Sequence, residues 1–129
     1  MAVELNHIII WCTDTLRSAD FLADMLGRPA PTSFLQFQVV DLDNGVAIDF
    51  MERTGAIAPQ HYAFLVGDSD FDALHRRLRD RRLDHWADPA RTLPGAINHH
   101  FGGRGVYFAD PDGHLLEAIT RPYARNDKE

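Results

Sequence analysis

Four residues carry the chemistry this chain can be expected to do: His7, Asp49, His61 and Glu117. His7 and His61 each sit at the head of an apolar run, Leu5 to Trp11 and His61 to Val66. Glu117 stands in the middle of a third run, Leu115 to Ile119. A carboxylate at mid-strand is costly to bury unless it is paired or binds a metal. One strand histidine alone would read as a hydrogen-bonded core residue. Two at equivalent positions, joined by a mid-strand Glu, read instead as ligands, because two imidazoles and one carboxylate bind divalent metals and leave positions open. Asp49 is one methylene shorter than Glu, which leaves three roles open: a fourth ligand, a hydrogen-bond partner for a ligand His, or an exposed strand residue.

The elements that must position these residues come in two rounds. After the Leu5–Trp11 strand, Thr13 and Asp14 offer helix caps, and Leu16, Phe21, Leu22, Met25 and Leu26 recur at helical spacing until Gly27 and Pro29. Phe34 to Leu42 reads as one strand, Asp43-Asn44-Gly45 as a turn, and Val46 to Met51 as the returning strand. The order then begins again. His61 opens a strand, Asp68, Ser69 and Asp70 can cap a helix bearing Phe71, Leu74 and Leu78, and residues 83–87 form a short strand. A long loop, 88–103, leads to a closing hairpin over Arg104 to Thr120, whose turn Asp110-Pro111-Asp112-Gly113 is dictated by Pro and Gly. Asn44 to Asp49 aligns with Asp112 to Glu117, so the chain reads as an internal duplication. Module one spans about 4–52, a linker 53–60, module two about 61–121 and a polar tail 122–129. The fold class is α+β, with tandem βαβββ modules.

Length and charge narrow the function. A chain of 129 residues holds one domain or two small modules, and a net charge of −6 argues against nucleic acid or an anionic membrane as partner. Lys128 is the only lysine, and Cys12 the only cysteine, so no internal disulfide forms and a cytoplasmic setting is expected. The N-terminus lacks the features of a signal peptide, and no apolar run reaches the length of a membrane span. Cys12 reads as a small buried apolar residue rather than a nucleophile.

Around the metal candidates, His99 and His100 lie in the loop before the last hairpin and are candidates for acid/base work or substrate contact. Trp11, Trp86 and Phe101 offer rings to a small-molecule ligand, and Arg104 and Tyr107 lie at strand positions that can face a cleft. His75 reads as solvated, and His85 and His114 as surface or turn residues.

Over residues 4–121, and most closely in Tyr107 to Glu117 (YFADPDGHLLE), the chain resembles the vicinal oxygen chelate superfamily, the glyoxalase, extradiol dioxygenase and bleomycin-resistance group. The resemblance implies two βαβββ modules forming a cup-like curved sheet around a divalent metal held by His7, His61 and Glu117. Iron(II) is the favoured metal, with Zn, Mn, Ni or Co as others the set would accept. The spacing from Asn98-His99-His100 through Tyr107 to Glu117 resembles the extradiol ring-cleaving signature, which places an acid at His100 and a hydrogen-bond donor at Tyr107; Trp11, His99, Phe101 and Arg104 are the candidates for substrate contact. The implied function is a metal-dependent enzyme on a small molecule with vicinal oxygens, most like an extradiol-type dioxygenase. A glyoxalase-type lyase or isomerase, or a non-catalytic antibiotic-binding resistance protein, is the alternative. A homodimer is expected, since a two-fold partner can cover open sheet edges.

Overall fold

The computed structural model describes residues 2–124. Among the described residues its elements form two compact units, residues 2–58 with 110–112 and residues 59–109 with 113–124. Each unit runs strand, helix, three strands.

In the first unit, three consecutive isoleucines make strand β1 (His7–Cys12), as β-branched side chains favour the pleated backbone. Helix α1 (Thr15–Leu26) starts where the Asp14 carboxylate accepts the Arg17 N–H at 3.2 Å. It ends at Gly27, whose φ of 67° only glycine adopts without strain. The helix turns Ala19, Leu22, Ala23 and Met25 inward, and packs on strands β3 (Phe37–Asp41) and β4 (Ala47–Glu52). With β2 (Thr32–Phe34) the sheet order is β1-β4-β3-β2, β1 and β4 being parallel and the other pairs antiparallel.

The second unit repeats this plan. Strand β5 (His61–Leu65), helix α2 (Asp68–Asp80), β6 (His85–Trp86), β7 (Gly105–Ala109) and β8 (Leu115–Ile119) give the order β5-β8-β7-β6, again with the outer pair parallel. Phe71, Leu74 and Leu78 of α2 are buried, as are Phe64, Val106, Phe108, Leu116 and Ala118 of the sheet. Register makes the duplication concrete. His7 pairs with Ala47 and the next same-face pair is Ile9 with Asp49; His61 pairs with Leu115 and the next is Ala63 with Glu117. Asp49 and Glu117 are thus equivalent positions, each diagonal to its histidine.

The structure corrects four local readings. Residues 34–42 are not one strand: Leu35 and Gln36 turn the chain between β2 and β3, with Leu35 at φ 53°. A non-glycine residue there gives no turn signal in sequence. Helix α2 begins at Gly67 with no side-chain cap; Asp68 and Asp70 instead favour its N-terminal dipole from the first turn. His114 is buried because its Nδ1 accepts the Gln60 N–H at 3.0 Å. His85 is buried too, its Nδ1 donating to the Leu83 carbonyl, and His75 is half-buried against the rings of Phe71 and His85.

Cys12 is fully buried beside the Met51 carbonyl. Burial, and then the negative charge of Asp112, push its thiol up to about 11. The nucleophilic thiolate is scarce at neutral pH, so iodoacetamide at pH 7.5 should leave the native chain unmodified. Intact mass after unfolding in guanidinium should show one adduct. Rapid labelling of the native chain would contradict the packing.

Candidate functional site

Glu117, 1% exposed, is the most deeply buried carboxylate of the second sheet, and its two oxygens are divided between two partners. Glu117 Oε1 lies 3.0 Å from His61 Nε2, across the parallel β5–β8 pair. The Tyr123 phenol donates to Glu117 Oε2. The Tyr107 hydroxyl lies 3.2 Å from the Tyr123 hydroxyl, and Tyr107 pairs with Glu117 across β7 and β8. Because the Tyr123 proton is committed to the carboxylate, Tyr107 is the donor in that bond. The Tyr107 ring also stacks on His61, with centroids 6.0 Å apart.

Burial, the hydrogen bond to Tyr123 and the Glu117 charge together hold the Tyr107 phenol well above its usual range. It therefore stays protonated throughout the neutral range, a donor and never a phenolate.

Both histidines are presented in the same way. The second ring nitrogen, His61 Nδ1, lies 3.0 Å from the Leu115 carbonyl and must donate its proton there. His7 Nδ1 lies 2.7 Å from Asn6 Oδ1, an acceptor when the amide is so oriented. In neutral rings this leaves each Nε2 as a lone pair, the arrangement metal-bound histidines adopt. For His61 the consequence is sharp. An Nε2 lone pair 3.0 Å from a carboxylate oxygen is repulsive unless a proton or a metal cation lies between them. The facing His61 Nε2 and Glu117 Oε1 therefore fit a shared proton or a divalent cation between them. Among the described residues no three His, Cys, Asp or Glu side chains are gathered as one ligand set.

The remaining candidates are placed as follows. In the first unit His7 is exposed at the start of β1, Asp49 is buried on β4, and Trp11 is partly exposed under the Arg53 guanidinium. In the second unit His99 is exposed and precedes a 3-10 turn, His100–Gly102, on which His100 is exposed and edge-on to Phe101. Phe101 is half exposed and meets the Tyr123 ring at 5.2 Å. Trp86 lies beneath the Arg91 guanidinium. The Arg104 guanidinium faces α2: it bonds Asp72 at 2.6 Å and the Asp68 carbonyl at 3.0 Å, and covers the Phe71 ring. That hydrogen bond holds the Asp72 carboxyl below its usual range.

The residue that sequence reasoning missed is Tyr123. It lies in a stretch whose composition is that of a polar tail, and its one signal is that it is the only aromatic in residues 121–129.

The model of the Glyoxalase/Bleomycin resistance protein/Dioxygenase superfamily matches residues 4–118. Among solved structures, Oxidase ChaP-H1 is 60% identical with a TM-score of 0.93, covering 95% of this chain and 99% of that one. Oxidase ChaP-H2 is 51% identical with a TM-score of 0.93, over 96% and 98%. Among curated relatives, Glutathione transferase FosA of Serratia marcescens is 28% identical over 91% of this chain and 80% of its own length. The chain belongs to the Glyoxalase/Bleomycin resistance protein/Dioxygenase superfamily.

Proposed function

We propose that this chain is a metal-dependent, oxygen-using enzyme, most like an extradiol-type dioxygenase, acting on a small aromatic molecule with two adjacent oxygens. The observation that carries the proposal is the buried Glu117 facing a His61 Nε2 whose other nitrogen is tied to a backbone carbonyl. Similarity to proteins named as oxidases supports the oxidative branch.

His61 and Glu117 would hold the metal, with His7 of a second copy as the third ligand that the family resemblance implies, since the described residues of one chain gather no three such side chains. When bound, a divalent metal supplies Lewis acidity towards two adjacent substrate oxygens and, as Fe(II), electrons for O₂. The protein's own part is orientation and proton control. Leu115 fixes the His61 tautomer through its carbonyl. Tyr107, kept protonated, would serve as hydrogen-bond donor to a substrate oxygen only by exchanging its bond to the Tyr123 hydroxyl for one to that oxygen. His100, exposed on its turn, exchanges protons with solvent as general acid and base. His99 and Phe101 would contact substrate from the same loop; Arg104, expected there too, instead binds α2 through Asp72 and the Asp68 carbonyl. The working unit is a homodimer in the cytoplasm; on β1 and β5 the exposed Ile9, Trp11 and Leu65 provide apolar surface for a second copy.

The test is an O₂-uptake screen over catechols and larger polycyclic phenols, using protein purified anaerobically and reconstituted with Fe(II). Substrate-dependent uptake that ceases with chelator is expected. No uptake, with consumption of glutathione instead, would replace this reading by the transferase chemistry for which FosA is named. The sparse lysine of this chain argues against that outcome.

A further inference from the structure

We propose that Tyr123 is a positioning residue for Glu117, and that the segment after β8 is a structural part of the metal site; this rests on the metal reading above. Three observations carry it. The Tyr123 phenol donates to Glu117 Oε2, on the side of the carboxylate away from His61. That bond restricts rotation of the carboxylate and leaves Oε1, the oxygen facing His61 Nε2, for the metal. The phenol is itself held, since its oxygen accepts from Tyr107 and its ring lies against Phe101.

The segment that delivers Tyr123 is anchored on both sides of its first residues. The Arg104 N–H donates to Thr120 Oγ1 at 2.8 Å, and the Thr120 N–H donates to the Arg104 carbonyl at 2.9 Å. A Cβ at Gly103 would stand 2.7 Å from both Thr120 Oγ1 and Arg121 Cγ, so glycine is required there for the two stretches to touch. Phe101 reaches the Tyr123 ring from a left-handed backbone, φ 57° and ψ 29°, a conformation that costs a bulky residue energy and is found at sites where the surroundings hold it. The loop before β7 and the segment after β8 thus converge on one phenol, and through it on Glu117.

A residue of this kind is read through the affinity of the metal rather than through folding. Tyr123→Phe keeps the ring against Phe101 and removes only the hydroxyl. Outer hydrogen-bond partners of metal ligands are typically worth about 10–100-fold in affinity. The variant should melt like wild type in the metal-free state and bind Zn(II) and Co(II) about tenfold more weakly in chelator competition. Its Co(II) visible spectrum should also change, because Oε2 is released to coordinate. Affinity within twofold of wild type, with a superimposable Co(II) spectrum, overturns the positioning role and leaves the metal reading standing. A wild type that binds neither ion overturns both.

Discussion

Glu117→Gln should yield a folded chain that has lost its metal and its activity. Glutamine keeps the shape of the buried side chain and can still accept the Tyr123 phenol, yet it removes the negative charge facing His61. A neutral amide oxygen is a poor partner for a divalent ion, so affinity should fall by more than about 100-fold, beyond the usual effect of outer partners. Removing a desolvated charge relieves part of its burial cost, so the metal-free melting temperature should stay within about 4 °C of wild type. Metal content after dialysis, and melting with and without chelator, measure both halves. Full metal occupancy in this variant would show that Glu117 is not a ligand.

Asp112→Ala should be the most destabilising single change outside the two cores. Its carboxylate accepts the Thr13 N–H at 3.1 and 3.2 Å, the Thr13 hydroxyl at 2.5 Å and the Ser18 hydroxyl at 3.1 Å. These bonds hold the turn between β1 and α1, where Asp14 supplies the helix cap. Loss of several charge-assisted bonds at a half-buried site should cost about 2 kcal/mol. For a chain of this size that lowers the melting temperature by roughly 6–10 °C. Asp112→Asn, which keeps an acceptor oxygen, should recover about half of the loss. A melting temperature for Asp112→Ala within 1 °C of wild type would mean that these bonds contribute nothing to stability.

The legible parts of this molecule were those in which polar residues interrupt an apolar pattern. His61 and Glu117 stood out because strands exclude unpaired charge, and the structure puts them on one face of parallel strands, 3.0 Å apart. The duplication was legible for the same reason, since turn residues fix register: Gly45 and Gly113, both at positive φ, precede Asp49 and Glu117 by four residues. What escaped sequence reading depended on partners distant along the chain. His114 is buried by a bond from Gln60, 54 residues away, which no local pattern announces. The β2–β3 turn uses Leu35 at positive φ, where the usual signal would be glycine or asparagine. Tyr123 was hidden by its polar neighbours, although its phenol bonds the residue on which the site is built.

The central claim, a metal held by imidazole and carboxylate, is tested most directly by X-ray absorption at the zinc edge of protein loaded with one equivalent of Zn(II). The account predicts nitrogen and oxygen neighbours at ~2.0–2.2 Å, with outer-shell scattering from two imidazole rings, His61 and His7. That imidazole scattering should persist in Tyr123→Phe and be absent in His61→Ala loaded in the same way, where a single ring no longer suffices to retain the ion. A zinc environment with no imidazole scattering in the wild type would contradict the account.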